Sequence, residues 1–228
     1  MRRLLIKADD FRTFPSIRWL NFIRFCIDRS LPITAGLIGK SLESNRVCKE
    51  LIKLVYSSKN IELWNHGYEH NGWPGEKHVS EFFRVPENDQ YEALAKTQYL
   101  AREVLGVQLR AFGPPFNKFD SKSLRAVGQF SEIEYLFDVG FCPGFKTIPS
   151  SFYVECDGRA AGNKFNYELA QKRAKPFLER NGCFVLQIHP GNHWDEQSLV
   201  EFGRFIDYCE REGVKTCGLD EFFIASIS

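Results

Sequence analysis

The chain has 228 residues, and its 30 basic and 29 acidic side chains leave a formal net charge of +1. This length suits one sizeable core, and we expect a single domain over residues 1–228. The charge balance argues against a nucleic-acid-binding protein and gives no reason for binding to an anionic membrane. The 21 phenylalanines favour a Phe-rich core over an aromatic cleft.

The first residues, MRRLLIKADDF, are basic but contain only three consecutive apolar residues. Such a stretch is too short for a secretion signal or a bilayer span, so we expect a cytoplasmic protein without a membrane span. The cysteines are Cys26, Cys48, Cys142, Cys156, Cys183, Cys209 and Cys217. Their number is odd and no CxxC pair occurs, which predicts reduced, mostly buried thiols.

Short apolar runs rich in β-branched residues alternate with segments of helical period. The predicted strands are residues 3–8, 33–38, 61–65, 109–112, 135–139, 152–156, 183–188 and 214–217. The predicted helices are residues 16–30, 42–57, 89–105, 121–130, 167–180 and 197–212. Three of these helices are followed by glycines, at Gly106, Gly182 and Gly213, as is common at helix C-termini. This order predicts an α/β fold with a parallel sheet, either doubly wound or closed into a barrel.

Polar or otherwise distinctive residues follow four of the predicted strands. In chain order they are Asp9, Asp10, His66, Pro114, Pro115 and His189. In α/β barrels the C-terminal ends of the strands form the rim that carries the chemistry. We therefore expect these residues to meet at one site.

The stretch NHGYEHN places His66 and His70 four residues apart. Taken alone, this spacing is also common on helix faces. Together with Asp10, the two histidines form the set of two imidazoles and one carboxylate that holds a catalytic zinc and leaves one position open. We expect one divalent metal, with zinc as first choice and cobalt or nickel as alternatives. A metal in such a site activates water for attack on a carbonyl carbon, which predicts a hydrolase.

Two further groups can move protons beside such a metal. Asp9 is the predicted general base, since adjacent residues leaving a strand can point in different directions, and His189 is the predicted general acid for a leaving nitrogen. Each group alone has a simpler interpretation. The two aspartates could cap the following helix, and His189 before Pro190 could belong to a turn. The shared rim position favours the active site.

Four segments in chain order resemble motifs of the polysaccharide deacetylases, also called the NodB homology domain or carbohydrate esterase family 4. KADDF (7–11) resembles TFDDG, HGYEH (66–70) matches H-x-x-x-H, FGPPFN (112–117) resembles FRPPYG, and QIHP (187–190) is similar to the closing Leu-His motif. The resemblance covers most of the chain. It implies a distorted (β/α)7 TIM-like barrel of the type shared by NodB deacetylases and glycoside hydrolases, and a deacetylase with one metal.

The resemblance implies the same metal ligands and the same general base and acid as the argument above. It adds Phe116, whose backbone N–H is implied as the donor to the oxyanion, and one such donor is typically worth about 2.7–4 kcal/mol. Pro115, Trp73 and Tyr68 are expected to contact the substrate. The two aromatic residues, and Trp194 as a further candidate, could stack on a sugar ring.

Three features depart from the family pattern. Gly113 stands where the family has an arginine that pairs with the base, so the environment of Asp9 must be set by other residues. Phe11 replaces the usual glycine after the aspartates. The tryptophan-containing fourth motif is not evident, although FDVGF (137–141) lies in the right region. These departures bear on substrate class and activity more than on the metal.

The sequence therefore predicts a metal-dependent deacetylase that hydrolyses the N-acetyl amide of an amino sugar. The expected substrate is a glycan precursor in surface polysaccharide biosynthesis, such as that of lipopolysaccharide, because no export signal is evident. One alternative is hydrolysis of another C–N bond, as in allantoinase-like or imidase-like relatives of the fold, although those resembling allantoinase tend to lack a second histidine such as His70. Another alternative is a non-catalytic glycan-binding protein, which is favoured by the presence of Gly113 in place of the family's arginine. The oligomeric state stays open.

Overall fold

The computed structural model describes residues 2–14, 16–43, 47–71, 80–140, 142–153, 164–180 and 182–227. The strands are β1 (Arg3–Phe11), β2 (Ile33–Leu37), β3 (Ile61–Asn65), β4 (Ala111–Phe112), β5 (Tyr135–Phe137), β6 (Lys146–Ile148), β7 (Phe152–Tyr153), β8 (Phe184–Ile188) and β9 (Lys215–Thr216). The helices are α1 (Ile17–Asp28), α2 (Lys49–Ser57), α3 (Glu87–Leu105), α4 (Ser121–Val127), α5 (Tyr167–Glu179), α6 (Pro190–His193), α7 (Glu196–Arg211) and α8 (Leu219–Ile227). Short 3-10 turns lie at Gly39–Glu43 and Pro115–Asn117.

The strands form one sheet in the order β6-β5-β4-β3-β2-β1-β8-β7, and β9 pairs with the start of β1. All of these pairings are parallel. Parallel neighbours require crossover connections, which the intervening helices provide. The curled sheet with helices packed outside it confirms the distorted (β/α) barrel that the sequence predicts.

Strand β1 shows how alternate residues supply two different layers. Ile6 and Ala8 pack outward in the hydrophobic layer shared with α1 and α7, whereas Leu5 belongs to a second cluster inside the barrel. Because successive side chains of a strand point to opposite faces, Lys7 and Asp9 share the inner face with Leu5. All five residues are buried. The inner face of β1 therefore changes from apolar to charged towards its C-terminal end.

Helix α8 closes the barrel at the N-terminal ends of the strands. It contributes Leu219 and Phe222 to the inner cluster. Its Asp220 pairs with Arg110, which directly precedes β4, at 3.1 Å. Since this end is filled, a site inside the barrel can open only at the opposite rim.

All eight predicted strands and all six predicted helices overlap elements of the structure. β3 has the predicted bounds and the other elements have shifted ends, while residues 154–156 of the strand predicted over 152–156 lie outside the described residues. The predicted helix over residues 42–57 is shorter, because a 3-10 turn precedes α2. Gly106 and Gly213 adopt positive φ angles of 66° and 74° after α3 and α7, as expected of helix stops. The sequence does not predict β6, α6 or α8. The first two have only three and four residues, too few to show a period.

The six cysteines within the described residues are all free, and four of them are buried. Burial raises the pKa of the Cys209 and Cys217 thiols to about 12. These findings agree with the predicted reduced, mostly buried thiols, while Cys156 lies outside the described residues. Within the described ranges no helix is long and apolar enough to cross a membrane.

Candidate active site

Asp9 and Asp10 lie near the end of β1, where an extra residue enters the strand. Between Ala8 and Phe11 the chain of β1 advances three residues while β2 advances two. Asp10 has a φ of 64° at this point, which is the geometry of a β-bulge. Without the bulge, adjacent side chains would point to opposite faces. With it, both aspartates line the same cavity.

Helix α1 begins without any contribution from the two aspartates. Its N-cap is Ser16, whose side chain accepts a hydrogen bond from the Trp19 N–H. The capping interpretation of Asp9 and Asp10 is therefore wrong, because both belong to β1. Phe11 packs outward with its ring 5.0 Å from that of Trp19, so its size does not obstruct the cavity.

The two histidines lie on the loop that follows β3. His66 Nδ1 is 2.7 Å from the Gly113 carbonyl, so this nitrogen carries the proton and leaves Nε2 bare. The Asp10 Oδ1 atom lies 3.4 Å from His66 Nε2 and 2.8 Å from His70 Nε2.

These three side chains fit a single divalent metal. Their ligand atoms lie within 4.8 Å of one another. Asp10 Oδ1 is buried and accepts no well-formed hydrogen bond from the described residues, although two imidazole nitrogens face it. Zinc bonds to nitrogen and oxygen are about 2.0–2.2 Å long, so the ligand atoms around one zinc ion lie a few ångströms apart, as the ligand atoms of these three residues do. Imidazole and carboxylate donors suit zinc, cobalt and nickel.

The histidine loop is held in place by Glu81, which the sequence analysis did not single out. Its carboxylate accepts hydrogen bonds from the backbone N–H groups of Tyr68 at 2.7 Å, Glu69 at 3.1 Å and His70 at 3.1 Å. Burial raises the pKa of Glu81, and the three N–H groups partly offset this. Gly67 makes the turn possible with a φ of 80°, since a Cβ there would lie 2.5 Å from Glu81 Oε2.

We expect Glu81→Ala to weaken zinc binding by about 10–100-fold, the usual cost of losing a group that orients a metal ligand. The reason is that the backbone N–H groups of Tyr68, Glu69 and His70 lose their shared acceptor. Calorimetric titration of the metal-free protein with zinc measures the effect. The matched control is Glu69→Gln, which alters a neighbouring exposed carboxylate that pairs with Lys40. Equal zinc affinity in wild type and Glu81→Ala would contradict the orienting role.

The two oxygens of Asp9 have different surroundings. Oδ2 accepts hydrogen bonds from Lys7 Nζ and from Gln187 Nε2, both at 2.7 Å. Oδ1 is buried and has no hydrogen-bond donor among the described residues. His189 Nε2 lies 4.0 Å from Oδ2, on the segment that follows β8. One oxygen of Asp9 is therefore held, and the other is left to accept a proton.

A cavity of about 480 Å³ opens over these side chains, a size typical of small-ligand sites. Its lining residues are Asp9, Asp10, His66, His70, Phe116, Asn117, Tyr153, Gln187, His189 and Asn192. The four charged or titratable rim residues that the sequence predicts to meet thus line one cavity, and the two prolines do not. The four are Asp9, Asp10, His66 and His189. The sequence analysis missed Asn117, Tyr153, Gln187 and Asn192. Only Gln187 carried a signal, because it alternates with the outward-facing Leu186 and Ile188 on β8.

Phe116 lies in the short turn after β4 with a φ of 59°. Its ring is 52% exposed and stands 4.6 Å from the ring of His70. Asn117 and Lys118 donate the hydrogen bonds that close the turn, and the Phe116 N–H stays the predicted oxyanion donor. Pro115, the first residue of the turn, is buried and is not part of the cavity lining.

Two of the aromatic residues predicted to stack on a sugar, Tyr68 and Trp194, do not line the cavity. The Tyr68 hydroxyl donates to Glu43 and accepts a hydrogen bond from Lys96 at 2.7 Å. Trp194 is 3% exposed and packs in the outer hydrophobic layer, so it is unable to stack on a ligand in the cavity. Trp73 lies outside the described residues. Among the described residues, Phe116 and Tyr153 are the exposed aromatic side chains that line the cavity.

Comparison with known proteins gives matches only among solved structures, since no family model and no curated protein matches the sequence. A family 4 acetyl xylan esterase from Clostridium thermocellum, in complex with a cobalt ion, has a TM-score of 0.67 at 13% identity, over 98% of this chain and 91% of that chain. A candidate polysaccharide deacetylase from Mycobacterium smegmatis has a TM-score of 0.73 at 14% identity, over 99% and 90%. The chain has the fold of carbohydrate esterase family 4.

A third structure with this fold is a carbohydrate esterase family 4 pseudoenzyme from Bacillus anthracis. Its TM-score is 0.68 at 14% identity, and the match covers 97% of this chain. The present chain spans 65% of the length of that protein. At such low identities the likeness establishes the fold, and the chemistry has to be argued from the residues of this chain.

In this family 4 fold, Gly113 leaves no room for an arginine. A Cβ at Gly113 would lie 2.6 Å from the ring of Trp64, and a Cβ at Gly36 on β2 would meet the same ring at 2.6 Å. Trp64 is fully buried and stands edge-on to His66, with ring centroids 4.8 Å apart. The indole therefore occupies the space beneath the histidine, and the cation beside Asp9 comes from Lys7 on β1.

We expect Gly113→Ala to lower the free energy of unfolding by about 1–3 kcal/mol, the usual cost of overpacking a filled core. The new methyl group would have to displace Trp64 or the carbonyl that orients His66. Urea denaturation measures the change. Gly140→Ala is the matched control, because a Cβ there meets nothing within 4 Å, and it should stay within about 0.5 kcal/mol of wild type. Equal losses in both variants would contradict the packing argument.

Proposed function

We propose that this protein is a metal-dependent deacetylase that hydrolyses the N-acetyl amide of an amino sugar. The observation that carries the proposal is that one cavity brings together three candidate metal ligands and the buried carboxylate of Asp9, whose Oδ1 has no donor within the described part of the chain. A divalent cation held by Asp10, His66 and His70 supplies Lewis-acid activation of the acyl carbonyl and of water. The fold is shared with proteins described as acetyl xylan esterase and deacetylase, which supports an acetyl-group hydrolase.

The proposed reaction uses three groups of this chain in turn. Asp9 Oδ1 accepts a proton from the attacking water, which forms the new C–O bond. The Phe116 N–H donates a hydrogen bond to the oxygen on which negative charge develops. His189, in its protonated form, gives a proton to the nitrogen as the C–N bond breaks. The products are acetate and a free amine.

The polar and aromatic character of the cavity supports a sugar as substrate. Asn117 and Asn192 offer amide groups that can hydrogen-bond to hydroxyl groups. The exposed rings of Tyr153 and Phe116 provide apolar faces on which a sugar ring can pack. A nucleotide-linked or lipid-linked glycan precursor is the proposed form of this substrate.

Acetate release from N-acetylated amino sugars tests the proposal. The purified protein, loaded with zinc, cobalt or nickel, is offered N-acetylated monosaccharide, oligosaccharide and nucleotide-linked donors and also O-acetylated xylan, and free acetate and free amine are measured. Equal amounts of both products support an amidase. Acetate from O-acetylated xylan alone would reassign the protein as an esterase. No acetate from any N-acetylated donor would contradict the proposal.

A second candidate is a non-catalytic glycan-binding protein on the same fold. The observation that favours it is the family 4 pseudoenzyme among the matching structures. Calorimetric binding of oligosaccharides to the metal-loaded protein, followed by analysis of the same sample for acetate, separates the two candidates. Binding without any acetate release favours the non-catalytic protein.

A further inference from the structure

A fully buried lysine lies directly beneath the proposed base. Lys7 Nζ is 2.7 Å from Asp9 Oδ2 and 3.0 Å from Asp138 Oδ2. It also lies 5.1 Å from the ring centroid of Trp64 and 5.5 Å from that of Phe137, within cation–π distance. Lysines are almost never fully buried unless they are paired. Burial opposes the charge, but the two carboxylates outweigh it and raise the pKa of Lys7, so the ammonium is charged.

The position of Lys7 follows from the strand it belongs to. Residues two apart on a strand share a face, so Lys7 stands one step below Asp9 inside the barrel. Gln187 is the register partner of Lys7 on β8 and donates to the same Asp9 oxygen. The Gln187 side chain in turn accepts a hydrogen bond from Asn117 at 3.2 Å. Two donors from adjacent strands thus converge on one oxygen of Asp9.

Asp138 anchors the ammonium from the opposite side of the barrel. It follows β5 directly and has a φ of 58°. Its Oδ1 accepts a hydrogen bond from the Ser150 N–H at 2.8 Å, and its Oδ2 faces Lys7. The carboxylate is therefore fixed by the backbone beyond β6. The ion pair between Lys7 and Asp138 therefore fixes the position of the flexible lysine side chain.

Lys7 is not part of the cavity lining, so it does not reach a substrate directly. Its effect is on Asp9: because Oδ2 is held by Lys7 and Gln187, the carboxylate has one orientation, and in this orientation Oδ1 is the oxygen without a hydrogen-bond donor among the described residues. We propose that Lys7, anchored by Asp138, is the positioning residue of Asp9. The competing explanation is that Lys7 only neutralises buried carboxylates and thereby supports the fold. The inference rests on the proposed function, in which Asp9 is the base.

Three variants separate positioning from support of the fold. Lys7→Met keeps the length of the side chain but removes the cation, and leaves the carboxylates of Asp9 and Asp138 without the cation that pairs with them. We expect it to lower both the melting temperature and kcat, the latter by about 100-fold, as for a misplaced reacting group. Zinc content and KM should stay largely unchanged.

The double variant Lys7→Met/Asp138→Asn removes one of the two carboxylate charges left without a cation. It should regain melting temperature but not kcat. Asp138→Asn alone, which keeps Lys7 beside Asp9, should lose much less kcat than Lys7→Met.

Recovery of kcat together with melting temperature in the double variant would overturn the inference, as would an unchanged kcat in Lys7→Met. If wild type releases no acetate from any N-acetylated donor, the proposed function fails, and crystal structures of wild type and Lys7→Met decide the inference separately. A rotated Asp9 carboxylate in the variant supports positioning by Lys7. An Asp9 carboxylate in its wild-type orientation overturns it.

Discussion

His66→Ala is expected to remove the metal and, with it, acetyl hydrolysis. Loss of a group that merely orients a ligand already costs about 10–100-fold in metal affinity, so loss of the ligand itself should cost at least as much. His66 is also the most buried of the three proposed ligands, with a side chain 1% exposed, so no solvent-exposed group can easily replace it. Metal analysis after dialysis and acetate release on an N-acetylated donor measure the two effects.

The control for His66→Ala is wild type stripped with a chelator and then given zinc. Wild type should regain its activity, whereas His66→Ala should not at the same zinc concentration. Circular dichroism confirms that the variant is folded. A His66→Ala protein that keeps about one metal ion per chain and full activity would place the metal away from the set of Asp10, His66 and His70.

Asp9→Asn is expected to lower kcat by about 100–10,000-fold, the range typical of a general base. The amide is nearly the same shape as the carboxylate, and its oxygen can still accept hydrogen bonds from Lys7 and Gln187. The amide nitrogen then takes the place of Oδ1 and is unable to accept a proton. Metal content should not change, because Asp10 and not Asp9 faces the two imidazoles.

The adjacent residue supplies the matched control for Asp9→Asn. Asp10→Asn makes the same chemical change one position later, and it should lower metal content as well as activity. The pair of variants therefore separates loss of the base from loss of a ligand. Loss of metal in Asp9→Asn, or retained kcat, would contradict the roles proposed for these two neighbours.

Much of the fold could be predicted from local pattern, because apolar strands and amphipathic helices alternate through most of the chain. The convergence of Asp9, Asp10, His66 and His189 could also be predicted, since residues after parallel strands share one rim. The β-bulge at Asp10 could not, because it depends on the register between β1 and β2 and not on a turn sequence. The place of the proposed metal site on the rim could therefore be predicted from the sequence, whereas its geometry depends on how β1 pairs with β2.

Other misses had different causes. Trp194 is close to His189 in sequence, but the intervening α6 carries it into the outer hydrophobic layer. Tyr68 lies between the two histidines, yet Glu43 and Lys96 hold its hydroxyl away from the cavity lining. Lys7 could have been found, since alternation along β1 already places it on the same face as Asp9. Proximity in sequence was a poor guide where a turn intervened, and strand alternation was a good one.

Of the non-glycine residues with left-handed backbone, four line the cavity, namely Asp10, His70, Phe116 and Asn117, and a fifth, Asp138, contacts Lys7 beneath it. A left-handed conformation costs an ordinary residue about 1–2 kcal/mol, and asparagine and aspartate tolerate it best. Glycine would adopt these angles without strain, so selection for stability alone would favour it at each position. The side chains retained there indicate that the rest of the fold offsets this local strain, and that a search for thermostable variants would tend to erode the site first.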